Sequence, residues 1–597
     1  MTAGTRALRV GETLLDPRAL PPPPTRHALF GIVIALAALV HFGTIYWGDL
    51  YSETEGQYAA AAREMLESGH YLLPTNDSIP RLQKPPLLYW LIVGSYQLFG
   101  VSAGAARIPI ALSVVATVAL TFAIGERLAN YWRGFTAALI YLTLSGTFIL
   151  ARIVMPEPVF SALIAGAIYC ALAGFQQRRQ RRAWFAGVWL CAGLACLTKG
   201  PHGLLFAGGT FALLALFYRE ARMRFRSLLW WPYLLLFGVI IVPWYWWVEF
   251  HFDGSFHRLL TADWINHLGG RYPTGRWYNE VPRFSFLALH LAWWFPWSVA
   301  ILPALLFAWR RVMRPREIAF EDALPMAWAA VVLIPTLAIG QRQDYYALSM
   351  FAAFGLWAAM ILERAPRSLR SVGAMIIAGI GLGVGVMSAV LPHLISKTES
   401  NWGTTDHRWT ALLALRDVPA SSWLQFRSLF VISAISLLLG ALITIQLLRR
   451  NREKIAFVGI ALGMIPVGFC MIAGVAHLAP YFSLAPAARY LNTRTGGNGE
   501  VIFEGPPGIA SSLGFYLESK FAMVNQRPDP GLPLSREQRN LFLEESAALD
   551  QWSGPRAVFL IVEQNRVNHW HDLLTKRFHI YHQVATCGTY VVLCNQM

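Results

Sequence analysis

Six short polar segments interrupt an otherwise apolar chain. They are SETEGQYAAAAREML (52–66), RLQKPP (81–86), ARIVMPEP (151–158), LTKGP (197–201), HFDGSFHRLLTADWINHLGGRYPTGRW (251–277) and QRQDYY (341–346). Together they carry groups that could do chemistry on a phosphate ester. Lysine and arginine can hold phosphate oxygens through charged hydrogen bonds, and a carboxylate can take a proton from an acceptor. Each segment alone also has an ordinary explanation. Glu55, Arg63 and Glu64 could form the solvated face of a juxtamembrane helix, Lys84 and Lys199 could snorkel to an interface, and His267 could be an interfacial histidine. Glu157 is harder to set aside, because it stands between Pro156 and Pro158 at the edge of an apolar stretch. A carboxylate there is costly unless it has a task. Convergence of acidic and basic groups at several membrane edges on one face favours a phosphate-bearing lipid as ligand.

The elements that would position these segments are membrane helices. Hydrophobic residues make up 55% of 597 and charged residues 14%, with a mean hydropathy of +0.42, which is too little charge for a soluble chain of this length. Apolar windows long enough to span fall near 28–47, 106–125, 134–151, 158–175, 183–198, 202–218, 228–248, 286–308, 324–340, 346–362, 371–391, 426–447 and 455–477. The loops QQRRQRR (176–182), YREARMRFR (218–226), WRRVMRPR (309–316), LERAPRSLR (362–370) and LRRNREK (448–454) alternate with the polar segments above. Short and arginine-rich, they read as cytoplasmic, as does the basic N-terminal tail 1–27. The net charge of +16 is therefore topological, which argues against nucleic acid as partner. The 28–47 window reads as a signal anchor, and no cleavable signal precedes it. PPLLYWLIVGSYQLFG (85–100) is too short to span and is predicted as an interfacial or re-entrant helix.

The expected organisation is about thirteen transmembrane helices over 28–477, with outer loops at 48–105 and 249–285 and an α/β domain over 478–597. EVIFEG (500–505), FAMVN (521–525) and AVFLIVE (557–563) read as strands, with helices predicted at 485–492, 510–519 and 569–578, which implies a largely parallel sheet. Six cysteines are too few for a disulfide framework. If CGTYVVLC (587–594) formed one strand, its two cysteines would stand about 23 Å apart, beyond disulfide reach.

The order of motifs resembles the membrane-embedded GT-C glycosyltransferases of the aminoarabinose transferase and protein O-mannosyltransferase superfamily. The resemblance covers residues 30 to 360 and continues more weakly to the end. It rests on Thr54-Glu55-Gly56-Gln57-Tyr58, Ala62-Arg63-Glu64-Met65, KPPLLYWL (84–91), Pro156-Glu157, LTKGP (197–201), PWY (243–245), His267-Leu268-Gly269-Gly270-Arg271, FPWS (295–298) and the segment Arg342 to Ser349. Three positions depart from the pattern. Thr54 stands for an aspartate, Glu157 for a second aspartate, and Gln83 for a glutamate that helps hold a metal in the aminoarabinose branch.

The resemblance implies an inverting enzyme that takes a sugar from undecaprenyl phosphate at the periplasmic face of a bacterial inner membrane. It delivers the sugar to an acceptor such as lipid A, and the C-terminal domain is also periplasmic. Lys84, Arg271, Lys199, Arg342 and Tyr345 are the expected donor-phosphate ligands. Glu55 is the expected base, Glu53 its substitute and Glu157 an orienting partner. His267 would be the ligand of any divalent metal. Two alternatives stay open: transfer to a protein hydroxyl, as in the O-mannosyltransferases, and a non-catalytic lipid-phosphate transporter, which would need charges within its spans.

Overall fold

The computed structural model of the protein describes residues 24–52, 54–177, 179–252, 281–313, 318–339, 342–398, 420–495, 499–527, 534–577 and 580–596. Helix occupies every one of the predicted spanning windows. Among the described residues nine helices are long and apolar enough to cross a bilayer, or eleven if two bent pairs are each one span. Arg181–Lys199 opens on two arginines and His202–Phe217 has only sixteen residues, so these two predicted spans fall short of that standard. Leu87–Phe99 is a separate helix of thirteen residues, about 20 Å long, which cannot cross by itself.

Local chemistry sets the helix starts. The Ser102 hydroxyl accepts from the Ala105 amide at the head of Ala103–Leu128, and Asn130 Oδ1 accepts from two amides at the head of Tyr131–Leu142. Pro156 occupies the first turn of Pro156–Gln176, where its missing N–H is no loss. The bends lock one another. Tyr131–Leu142 and Ser145–Arg152 meet at 61°, and Arg283–Trp293 and Trp297–Phe307 meet at 108°. Across the two breaks the Ser145 amide donates to the Phe295 carbonyl at 2.9 Å, and Trp297 Nε1 donates to Thr143 Oγ1 at 2.9 Å. Phe426–Arg449 and Phe457–Phe482 cross at glycines, where a Cβ on Gly440 would lie 2.7 Å from the Gly459 carbonyl oxygen. Close backbone approach of this kind replaces the hydrophobic drive that lipid removes.

The spans form a centre and a rim. Within its most apolar window, Asp344–Arg364 is 83% buried and Pro156–Gln176 78%, whereas Trp231–His251 is 17% and Arg367–His393 22%. The first two are therefore the core of the bundle, and the others face lipid.

Beyond Phe482 a six-stranded sheet runs in the order Phe542–Leu543, Ala522–Val524, Glu500–Glu504, Val558–Glu563, Tyr590–Cys594 and His582–Cys587. The first four strands are parallel, and the last two form an antiparallel hairpin at one edge. CGTYVVLC is thus not one strand. It turns at Gly588, whose φ of +64° suits glycine, and Cys587 opposes Tyr590 rather than Cys594. Both thiols are free.

The sheet is fastened to the first outer loop. The Ser52 amide donates to the Phe482 carbonyl at 2.8 Å, Ser52 Oγ meets Ser512 Oγ at 2.6 Å, and the Leu50 amide donates to the Tyr516 hydroxyl. A Cβ on Gly56 would lie 2.7 Å from the Ser512 amide nitrogen, so only glycine lets Glu55–Ser68 seat there.

Farther along that loop, Asp77 and Ser78 form a two-residue turn between Thr75–Asn76 and Ile79–Pro80, both with positive φ. The Glu64 carboxylate holds the turn by accepting from the Thr75 hydroxyl and the Asp77 and Ser78 amides. Burial first, and the nearby Glu64 charge second, push the Asp77 carboxyl up to about 7, and its Oδ2 has no hydrogen-bond partner. An acid whose folded pKa is raised binds its proton more tightly when folded, so its contribution is full below pH 4 and fades as pH rises through about 7. Asp77→Asn keeps the side chain's tolerance of positive φ and removes the charge. It should raise the melting temperature at pH 8 by a few degrees, order of magnitude, and the gain should shrink as pH falls through about 7 and vanish only near pH 4, as followed by differential scanning fluorimetry.

Candidate active site

The two most buried spans carry the site at one end of the bundle. Glu157 lies in the first turn of Pro156–Gln176, and Lys199 is the last residue of Arg181–Lys199, which Gly200 stops with a φ of +71°. A carboxylate at a helix N-terminus and an ammonium at a helix C-terminus each face the favourable end of a macrodipole. The two groups pair at 2.9 Å, with side chains 5% and 8% exposed. Glu157 Oε2 is buried without a hydrogen-bond partner. The Lys199 ammonium sits 4.5 Å from the centroid of the Tyr346 ring and 5.8 Å from that of Phe160.

Around this pair gather the groups of three other segments. Lys84 is close enough to Lys199 to act on it electrostatically, and Glu157 is close enough to Tyr58 and Tyr345 to act on both. Arg81 is buried, lies 4.8 Å over the Tyr58 ring and donates to the Gln57 side chain and the Tyr89 hydroxyl. Lys84, Lys199, Glu157 and Tyr345 are therefore one cluster, as their sequence pattern suggests.

Glu55 stands apart. Its carboxylate is 3% exposed and takes a two-pronged contact from Arg107, 2.9 Å from Nε and 2.7 Å from Nη2. It also accepts from the amides of Tyr51 and Val154. Burial alone would raise this carboxyl, but the Arg107 guanidinium outweighs it and holds the group below the ordinary carboxylate range. The remaining donors of Arg107 go to the carbonyls of Ile45, Trp47, Gly48 and Asp49. The cavity beside the pair is about 10 Å³, room for no more than one water. In place of the expected open base, Glu55 is a closed structural anchor for the first outer loop.

Arg342 also differs from its expected role. It is buried, and its guanidinium donates to the carbonyls of Thr336, Leu337 and Ile339 at the end of Phe320–Ala338 and to Val281. It caps a helix and ties down a neighbouring segment. Glu53, His267 and Arg271 lie outside the described residues. Gln83 is exposed and offers an amide where a metal site would want a carboxylate. Among the described residues no three His, Cys, Asp or Glu side chains converge on one point.

Tyr58, Arg81, Tyr346 and Arg107 were not singled out from the sequence. Arg81 shares the RLQKPP segment with Lys84 and could have been taken with it. Arg107 stands near the start of an apolar span, where an arginine demands a partner.

Known proteins are similar to this chain in sequence and in fold. The dolichyl-phosphate-mannose-protein mannosyltransferase family model matches residues 83–247. An uncharacterised protein of Aquifex aeolicus is 32% identical over 183 residues, 30% of this chain and 36% of that one. The undecaprenyl phosphate-alpha-4-amino-4-deoxy-L-arabinose arabinosyl transferase of Edwardsiella ictaluri is 27% identical over 370 residues, 60% of this chain and 63% of its own. The chain thus spans between a third and two thirds of the length of these curated relatives. A crystal structure of ArnT from Cupriavidus metallidurans bound to undecaprenyl phosphate superposes with a TM-score of 0.79 at 20% identity, over 95% of this chain and 98% of that one. The chain is thus a polytopic helical membrane protein with the GT-C fold, and its sequence resembles the aminoarabinose transferase and protein O-mannosyltransferase superfamily.

Proposed function

We propose that the chain is an inverting glycosyltransferase that moves a sugar from undecaprenyl phosphate to an acceptor at the periplasmic face of the inner membrane. The acceptor that suits it best is a phosphate such as those of lipid A. One observation carries this reading: a buried ion pair, Glu157–Lys199, with one carboxylate oxygen free, set beside Lys84 and two tyrosines. The names of the relatives support the donor.

In the proposed step the acceptor oxygen forms a bond to the anomeric carbon from the face opposite the carrier. The bond from that carbon to the carrier phosphate breaks, and its electron pair stays on the phosphate oxygen. In this reading Lys84 and Lys199 stabilise the charge that grows there, and the Tyr345 hydroxyl donates to it. Arg271 remains a further phosphate ligand in this reading. Glu157 keeps Lys199 in position, and its free oxygen faces the acceptor. An ionised phosphate acceptor needs no proton removed, which fits a site whose other carboxylate, Glu55, is closed by Arg107. A hydroxyl acceptor would leave Glu157 as the base.

Lys84→Ala should leave the protein folded and cost transfer about 2–5 kcal/mol of transition-state stabilisation, read as kcat/KM with purified undecaprenyl-phosphate sugar. Turnover close to wild type would remove Lys84 from the site.

The two glutamates should separate. Glu157→Gln leaves the buried Lys199 without its counter-charge, so it should lower the melting temperature and also the kcat of the folded fraction, by about a hundredfold or more if a hydroxyl acceptor uses it as base. Glu55→Gln breaks a buried pair, which typically costs about 3–5 kcal/mol, so it should reduce yield and melting temperature while the folded fraction keeps most of its kcat. A stable but inactive Glu55→Gln protein would return the chemistry to Glu55.

Alkaline phosphatase fused after Ser483 should be active, because the arginine-rich loop 448–454 lies at the opposite end of the helix Phe457–Phe482. An inactive, stable fusion would reverse the orientation.

A further inference from the structure

At the end of the bundle away from the sheet, a cavity of about 360 Å³ opens between the ends of several spans. Its volume falls within the ~300–1,000 Å³ of ordinary ligand pockets. Its inner wall is apolar, made by Trp297, Ala300, Phe457 and Ile460, and its mouth is charged. Arg133 gives both its Nε and Nη2 hydrogen bonds to the same oxygen of Glu363, leaving the other oxygen to solvent. Arg370 donates to the Glu453 carboxylate and carbonyl, yet its Nε is buried with no partner. Lys454 joins them at the mouth without an ion pair among the described residues. Three cations thus face two carboxylates, and Glu453, 46% exposed, is free to swing out. The flanking loops, LERAPRSLR (362–370) and LRRNREK (448–454), add further arginines.

An apolar throat under a net-positive mouth, within the membrane and at its edge, fits one kind of molecule. We infer that this cavity binds the headgroup and part of one acyl chain of an anionic phospholipid from the leaflet opposite the sheet domain. The phosphate would take the free Arg370 Nε–H and the Lys454 ammonium, and the chain would lie along Trp297 and Ile460. Basic pockets between spans recognise acidic headgroups in this way. A free phosphate would satisfy the cations but leave the throat empty. The site is remote from Glu157 and Lys199, and the inference is independent of the reaction proposed above.

The test is native mass spectrometry of the full chain in detergent, titrated in parallel with phosphatidylglycerol, phosphatidylcholine and inorganic phosphate. One phosphatidylglycerol per chain should be retained at concentrations where phosphatidylcholine is lost, and inorganic phosphate should not displace it. Arg370→Gln with Lys454→Gln should weaken retention at least tenfold. Glu453→Gln, which removes the competing carboxylate, should hold the lipid as well as or better than wild type. Ile460→Trp fills the throat without touching the charges and should also expel the lipid, which keeps the test decisive if the double variant does not fold. Equal retention of both lipids, displacement by inorganic phosphate, or wild-type retention by the Ile460→Trp protein would overturn the site.

Discussion

An unpaired charge is the most expensive thing a membrane bundle can hold, and the pairing of Glu157 with Lys199 meets that constraint through the backbone itself. Two neighbouring antiparallel helices present opposite poles at the same level, one by beginning there and the other by ending there. The acid and the base each complete a helix end before they meet. The surrounding packing follows, since Pro156–Gln176 and Asp344–Arg364 must lie at the centre for the charges at their ends to be enclosed.

A second pair, Glu55 with Arg107, uses the same chemistry for a different end. Every contact of that carboxylate is taken, and the guanidinium spends its remaining donors on four carbonyls of one loop. One pair is saturated and the other keeps an oxygen free. The proposed division of labour rests on that asymmetry: the saturated pair would fix the shape of the loop, and the unsaturated one would be left to react.

Much of this was legible in the residues. Apolar windows located the helices, because their length and period are set by the bilayer, and Lys84, Glu157 and Lys199 stood out because charges at membrane edges need reasons. Alternating strand and helix patterns foretold the parallel part of the sheet. Three things were hidden. Period alone could not show that two windows bend by 61° and 108°, since the breaks depend on hydrogen bonds between Thr143 and Trp297 and between Ser145 and Phe295. The hairpin at 582–594 was read through because both its strands are apolar and only Gly588 marks the turn. The partner of Glu55 lies 52 residues away in a span, and no local pattern couples the two.

The fastening of the first outer loop to the far end of the chain has a consequence for biosynthesis. Leu50, Ser52 and Gly56 leave the ribosome early, yet the atoms that hold them, in Phe482, Ser512 and Tyr516, are made more than four hundred residues later. The bundle can insert helix by helix, but this loop cannot take its final form until the last domain has been made and folded against it. A chain arrested between Phe482 and Tyr516 would carry all its spans and still lack a finished outer face. The segment translated first is the last to be completed, so assembly of the site is gated by synthesis of the whole protein.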